Sequence, residues 1–140
     1  MLTVIDETQL SYFDHDPVRP HIDANFRITE NRKAFALWYK DEAPAAIICA
    51  AFCEDVPSTE EVLDNPGTTA VFYTVWSYER GAGADVVFDA VEWIKSNMPD
   101  VDRFVTLSPP TEMAERFHLK NGAIKLRVNE DTVNFEYVNP

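Results

Sequence analysis

The sequence predicts an α/β (α+β) fold: one domain over residues 1–140, with a mixed central sheet, a β-α-β core and a C-terminal hairpin. Three observations predict it. Short runs rich in β-branched and aromatic residues recur along the chain, an amphipathic segment lies between two of them, and the last two runs are separated only by turn residues. A chain of 140 residues is long enough to bury its own core without disulfides.

The N-terminal residues 1–30 show no periodic pattern, and we expect an irregular segment there. FDHDPVRPHID is rich in proline, which removes backbone donors and favours extended geometry. This stretch also contains side chains that ligate metals: Asp14, His15, Asp16, His21 and Asp23. Closeness in sequence fixes no coordination geometry, so we interpret the stretch as a solvated loop and predict no metal.

The next segments predict an antiparallel hairpin, because KAFALWY and AAIICAAFC flank the turn-prone KDEAP. Cys49 and Cys53 lie four residues apart on the second strand, which places both on one face. No CxxC pair and no further thiol are present, so we interpret them as reduced core residues.

TTAVFYTVW predicts the central strand, and a Gly-rich turn, ERGAGAD, follows it. An amphipathic helix is expected over Val86–Ser96 and ends before Pro99, after which RFVTLSP resumes strand character. The two strands are expected to lie parallel through a right-handed crossover, with a ligand crevice at their carboxyl ends.

A second helix is predicted over EMAERFHLKN, with Thr111 as its N-cap and Gly122 in the left-handed position at its end. Its expected core face consists of Met113, Ala114 and Phe117. AIKLRV and TVNFEYV then form the final pair of strands.

The charge balance excludes several classes of partner. Twelve Lys and Arg against 24 Asp and Glu give a net charge of -12, whereas nucleic-acid binding requires a basic surface. No apolar run reaches the roughly 18 to 20 residues that cross a bilayer, and the N-terminus lacks a signal pattern. We therefore expect a cytoplasmic protein without nucleic-acid or membrane partners.

Two groups of residues are candidates for chemistry. The first group is the turn between a strand and a helix, formed by Arg80, Gly81, Ala82, Gly83 and Ala84. Free N–H groups and the helix dipole attract anions at such a position. A sharp turn without any ligand explains the glycines equally well.

Ser108 ends a strand and His118 lies on the next helix, so both are expected to border the crevice. Histidine donates to an oxyanion or moves a proton near neutral pH, and serine orients a carboxylate. Alternatively, both residues have no chemical role, Ser108 being part of a Ser-Pro turn and His118 lying at the edge of an amphipathic helix.

The segments RGAGA and RFHLKNGA resemble motifs in the acyl-CoA-binding half of the GNAT acetyltransferase superfamily. The resemblance implies that the turn from Arg80 to Ala84 holds the diphosphate of coenzyme A. It also aligns Phe117 and Gly122 with the family's later helix. Asp85 departs from the family's Gly or Ala, and His118 replaces its usual tyrosine acid.

Four segments resemble parts of the catalytic domain of the malonyl-CoA decarboxylase family: AVFYTV, FVTLSP, RFHLKNGA and VNFEYV. The stretch between LSP and FHL is shorter here than in that family. This likeness implies that Ser108 and His118 are the catalytic pair. It also implies a coenzyme A thioester, acetyl-CoA or malonyl-CoA, as substrate, and no metal.

Two alternatives remain open. An N-acetyltransferase would transfer acetyl from acetyl-CoA to an amine, with Tyr73, Tyr78, Glu79 or His118 moving the proton. A non-catalytic acyl-CoA-binding module, or a domain that pairs through its exposed strands, is the other. The final hairpin offers an edge through which two copies could form a homodimer.

Overall fold

A seven-stranded mixed sheet forms the centre of the computed structural model, which describes residues 1–140. Its order is β1-β2-β3-β4-β5-β7-β6, and only β4 and β5 are parallel neighbours. The strands are β1 (Leu2–Val4), β2 (Arg32–Leu37), β3 (Ala46–Cys53), β4 (Thr69–Ser77), β5 (Arg103–Thr106), β6 (Ile124–Val128) and β7 (Val133–Tyr137). The α-helices are α1 (Ala82–Asn97) and α2 (Glu112–Lys120), and 3-10 helices lie at Glu7–His15, Ala24–Phe26 and Glu60–Val62. The predicted mixed sheet, β-α-β unit and C-terminal hairpin are confirmed.

The sheet separates two apolar cores. One core lies on the face covered by α1 and α2, which we call the helix face, and it contains Phe72, Phe104 and Phe135. The other lies on the face covered by residues 5–28, the N-terminal face, and it contains Tyr73 and Leu107. All eight residues of β3 are buried, which explains its continuous apolar sequence.

Helix α1 begins four residues earlier than Val86, where the sequence predicts its start. Gly81 adopts a left-handed conformation (φ 84°), which turns the chain from β4 and leaves Ala82 as the first helical residue. Its buried face includes Val87, Val91 and Ile94, as the periodicity predicts.

Helix α2 has the predicted ends but a different core face. The Thr111 hydroxyl accepts the N–H of Ala114 at 3.2 Å, and Gly122 is left-handed (φ 97°). Met113 is 79% exposed, so its assignment to the core face is wrong, and His118 is the buried residue. The short helix contacts the sheet near its end, which turns Met113 toward solvent.

The central strand β4 contains a β-bulge that no sequence pattern predicts. Consecutive Cys49 and Ala50 on β3 pair with Thr74 and Phe72, so Tyr73 is an extra residue in β4. Tyr73 and Thr74 both contact the N-terminal face as a result. Bulges bend a strand, and β4 pairs with β5 only over Thr69–Phe72.

The N-terminal segment is more ordered than the solvated loop that its composition predicts. Leu2–Val4 pairs with β2, so residues 1–30 are not irregular throughout. Asp16 and Arg27 form an ion pair at 2.6 Å whose side chains are both fully buried. The Asp16 carboxylate also accepts the Thr74 hydroxyl at 2.9 Å, which attaches the segment to β4.

The candidate metal ligands of this segment are used differently. Asp23 accepts the N–H of Asn25 at a helix start, and His21 contacts Glu60 at 2.8 Å. No group of three or more His, Cys, Asp or Glu side chains in the molecule has an arrangement that could hold a metal ion.

The two cysteines are free and buried on the N-terminal face, as expected of reduced core residues. Burial raises the pKa of Cys49 to about 12 and that of Cys53 to about 11. Neither α1 nor α2 has the length and apolar character needed to span a membrane.

Candidate functional site

The parallel strands β4 and β5 separate at one point, which we call the β4–β5 fork. The last hydrogen bond between them runs from Leu107 N–H to the Phe72 carbonyl at 3.0 Å. Beyond it, Tyr73–Ser77 has no strand partner on the β5 side, while Ser108 pairs with Val133. The bulge and this change of partner together separate the two strands at their carboxyl ends, which is where the sequence predicts a ligand crevice.

Ser108 lies at the fork and is 4% exposed. Its N–H donates to the Val133 carbonyl and its carbonyl accepts the Val133 N–H, both at 2.9 Å. Its hydroxyl donates to the Thr106 hydroxyl at 2.8 Å. The backbone of Ser108 is therefore fixed, and its oxygen retains free lone pairs.

His118 projects from α2 onto β7 and is 5% exposed. Its ring stacks on Phe135 at 5.1 Å between centroids, and Nδ1 lies 2.8 Å from the Tyr137 hydroxyl. His118 Nε2 makes no hydrogen bond within the protein. The only fully buried side-chain N or O atom without a partner is the Tyr73 hydroxyl, on the other face of the sheet.

Burial changes the protonation of this pair. Desolvation lowers the pKa of His118 from 6.5 to about 4, and it raises the pKa of Tyr137 well above its usual 10. At neutral pH the site therefore holds a neutral imidazole beside a neutral phenol.

Ser108 and His118 lie on the same face of the sheet. Val105 and Leu107 contact the N-terminal face, so alternation places Thr106 and Ser108 on the helix face, where His118 packs. The Thr106 hydroxyl also accepts the N–H of Phe135 at 3.0 Å, and Phe135 stacks on His118. The structure thus places the two predicted residues on one face of the sheet and links them through Thr106 and Phe135.

The glycine turn begins α1 beside the far end of β4. The N–H of Ala82 donates to the Glu79 carbonyl and that of Asp85 to the Gly81 carbonyl, whereas those of Gly83 and Ala84 have no acceptor in the protein. These two N–H groups are available to an anion at a helix N-terminus.

Gly83 also has a packing role. It is buried, and a Cβ at this position would lie 3.1 Å from Phe117 Cε1. The absence of a side chain therefore lets α1 and α2 approach closely. This glycine thus has a packing role in addition to its free N–H group.

Charge around the turn is mixed. Arg80 is exposed and takes part in none of the ion pairs. Tyr39 donates to the Asp85 carboxylate, and this hydrogen bond is the main cause that raises the pKa of Tyr39 to about 12. Arg80 is thus the basic side chain of the turn, and Asp85 opposes it.

Other predicted residues lie apart from the site. The Tyr73 side chain belongs to the core of the N-terminal face, opposite His118. Tyr78 is half exposed and accepts the Trp76 indole N–H at 3.0 Å. Two shallow surface cavities, of about 360 and 220 Å³, are lined by neither Ser108 nor His118.

Sequence reasoning missed two residues that hold the pair. Thr106 supports Ser108, and Tyr137 supports His118 from the last strand. Alternation in VNFEYV places Tyr137 on the face of Phe135, but nothing local indicates that β7 inserts between β5 and β6.

The chain has the same fold as a group of solved structures that includes a GNAT domain. Comparison with solved structures shows this fold directly. Malonyl-CoA decarboxylase from Rhodopseudomonas palustris has a TM-score of 0.82 at 20% identity, over 99% of this chain and 60% of that chain. The enzyme from Cupriavidus metallidurans has a TM-score of 0.81 at 17% identity, with 99% and 60% covered. The chain therefore spans about 60% of the length of these decarboxylases.

Acetyltransferases share the fold as well. Arabidopsis thaliana NAA60, solved in complex with acetyl-CoA, has a TM-score of 0.71 at 14% identity and matches 100% of this chain and 99% of that chain. No protein family model and no curated protein matches the sequence. The comparisons establish the fold and leave the reaction to the chemistry of the site.

Proposed function

We propose that this protein decarboxylates a malonyl-type coenzyme A thioester, releasing carbon dioxide and forming acetyl-CoA. The observation that carries the proposal is that Ser108 and a buried, neutral His118 lie on the same face of the sheet and are linked through Thr106 and Phe135. The similarity in fold to two malonyl-CoA decarboxylases supports it.

The coenzyme would lie along the unpaired edge of β4. The free N–H groups of Gly83 and Ala84, with Arg80, would bind the diphosphate at one end of this edge. The four residue steps of β4 from Ser77 to Tyr73 span about 13 Å, which is the distance along the strand from the turn to the fork. The thioester would then lie between Ser108 and His118.

The reaction breaks the bond between the carboxylate carbon and the α-carbon. Its electron pair moves into the thioester to form an enolate, carbon dioxide leaves, and a proton from solvent water is then added to the α-carbon. Stabilisation of the enolate oxygen by a preorganised donor lowers the barrier, as an oxyanion hole does.

His118 would supply that donor. A Tyr137 hydroxyl that donates to Nδ1 leaves the proton of the neutral imidazole on Nε2, the nitrogen without a partner in the protein. Burial disfavours the imidazolium, so the ring is neutral. A neutral imidazole donates a hydrogen bond to the enolate oxygen without giving up its proton.

Ser108 would bind the departing carboxylate. Its peptide is held by Val133 on both sides, so the hydroxyl is positioned before substrate arrives. On releasing Thr106, the hydroxyl donates to the carboxylate and orients the breaking bond across the thioester plane.

An N-acetyltransferase is the second candidate, favoured by the match of NAA60 over nearly the whole of both chains. Its acceptor amine needs a second approach to the thioester. On the N-terminal face, Asp16 and Arg27 are buried against the Thr74 hydroxyl beside the fork. This covering favours a reaction with one substrate.

The test incubates the purified protein with malonyl-CoA, and separately with acetyl-CoA and a panel of amines. We expect carbon dioxide and acetyl-CoA from the first mixture and no free coenzyme A thiol from the second. The same preparation carrying His118→Gln controls for contaminating activity. Amine-dependent thiol release would support the acetyltransferase, and coenzyme binding without either product would make the protein a non-catalytic module.

A further inference from the structure

Arg19 reaches the β4–β5 fork from the N-terminal segment. Its Nε donates to the Tyr73 carbonyl and its Nη2 to the Leu107 carbonyl, each at 2.7 Å. The residue is 7% exposed. One side chain therefore joins both strands at the point where their own hydrogen bonding ends.

The two carbonyls need a partner from outside the ladder. Tyr73 is the bulged residue of β4, and Leu107 follows the last residue of β5. Buried carbonyls without hydrogen bonds are unfavourable, and a planar guanidinium fits two acceptors in a fixed geometry. A lysine ammonium, with one nitrogen, does not reproduce this bridge.

The charge of Arg19 is compensated on its third side. Nη1 forms an ion pair with Glu60, whose carboxylate also contacts His21 Nε2 at 2.8 Å. Three directed contacts on one guanidinium fix its orientation, so the distance between the two strand ends is fixed with it.

Leu107 immediately precedes Ser108, so Arg19 holds the peptide that leads into the candidate site. We propose that Arg19 is a positioning residue that fixes the Leu107–Ser108 peptide relative to β4 and thereby places the Ser108 hydroxyl. This inference rests on the proposed function for its catalytic consequence. Arg19 acts through Ser108 from the opposite face of the sheet and does not touch substrate.

The experiment compares Arg19→Lys and Arg19→Met with wild type, using Arg103→Met as the matched control. Arg103 lies at the other end of β5 and forms two hydrogen bonds with Glu136, at 2.9 and 2.8 Å. Turnover of malonyl-CoA gives kcat and KM for each variant. Hydrogen exchange of the Leu107 and Ser108 amides is measured on the same four proteins without substrate.

We expect both Arg19 variants to lower kcat by about 10-fold or more while KM stays within about 3-fold, because misplacement affects the reacting group and not the diphosphate turn. The Arg103 variant should retain kcat within about 3-fold. A lysine variant with kcat near wild type, or an effect confined to KM, overturns the proposal.

Hydrogen exchange decides the inference independently of turnover. The Leu107 and Ser108 amides should exchange at least about 10-fold faster in Arg19→Met than in Arg103→Met. Equal exchange in the two variants overturns the positioning role. A wild-type protein that releases no carbon dioxide refutes the proposed function alone, because the exchange comparison still tests Arg19.

Discussion

Two buried polar sites on opposite faces of the sheet, Asp16 and the Ser108–His118 pair, differ in how completely they are hydrogen-bonded. On the N-terminal face, Asp16 receives Arg27, the Thr74 hydroxyl and two backbone N–H groups, so its hydrogen bonds are complete. On the helix face, His118 Nε2 and the lone pairs of Ser108 have no partner in the protein. Completed polar networks secure a fold, whereas polar atoms without a partner in the protein are free to bind a ligand. The comparison therefore predicts stability effects from one face and catalytic effects from the other.

The largest effect should come from breaking the buried ion pair. Asp16→Ala leaves Arg27 buried without a counter-charge, and we expect it to lower the free energy of unfolding by about 3 to 5 kcal/mol. Urea denaturation at pH 7 measures the loss. Glu112→Ala removes a carboxylate from the exposed pair with Arg116 and should cost less than about 1 kcal/mol. Similar losses in the two variants would show that the Asp16 network is not the stabilising element.

Replacement of His118 should affect turnover most. His118→Gln removes the proposed donor to the enolate oxygen and should lower kcat by about 10² to 10³-fold, with the Kd for coenzyme A within about 3-fold. Steady-state kinetics and calorimetry give the two quantities. His15→Gln, at an exposed histidine of the N-terminal segment, is the matched control and should leave both unchanged. A loss below about 10-fold in His118→Gln would contradict the assigned role.

The lowered pKa of His118 predicts a pH dependence of stability. Between its unfolded pKa of 6.5 and its folded value of about 4, the unfolded chain binds a proton that the folded chain does not. The contribution of His118 to the free energy of unfolding is therefore complete above pH 6.5. It is lost as the pH falls toward 4, by about 3 kcal/mol in total. Urea denaturation at pH 7 and pH 4.5 should show a smaller difference for His118→Gln than for wild type. An identical difference in both proteins would assign the acid sensitivity to other groups.

The smallest effect separates conformation from binding at two similar glycines. Gly81 and Gly122 both have positive φ, of 84° and 97°, and a Cβ on either would meet no atom within 4 Å. Alanine at each should cost about 1 kcal/mol of stability, because the left-handed region is unfavourable for side chains. Only Gly81→Ala should also weaken binding of coenzyme A, as measured by calorimetry. Equal affinities in the two variants would count against the diphosphate site at the turn.

Local sequence patterns predicted most elements because each depends on neighbouring residues. Alternation located the strands, Thr111 and Gly122 marked the ends of α2, and period-3.6 spacing gave the buried face of α1. The start of α1 was misplaced because short residues beside Gly81 carry no amphipathic signal. Position beside the expected crevice made Ser108 and His118 candidates, and only the resemblance to known families implied that they are a catalytic pair.

Contacts distant in sequence decided the arrangement of the site. The insertion of β7 between β5 and β6 brings Tyr137 to His118, and the bulge at Tyr73 opens the fork that Arg19 bridges. These outcomes depend on which hydrogen-bond partners remain unsatisfied after the whole sheet has assembled, and no window of neighbouring residues contains that information. The sequence by itself determined the helices, the strands and the candidate pair, whereas only the tertiary structure decided how that pair is buried, oriented and held.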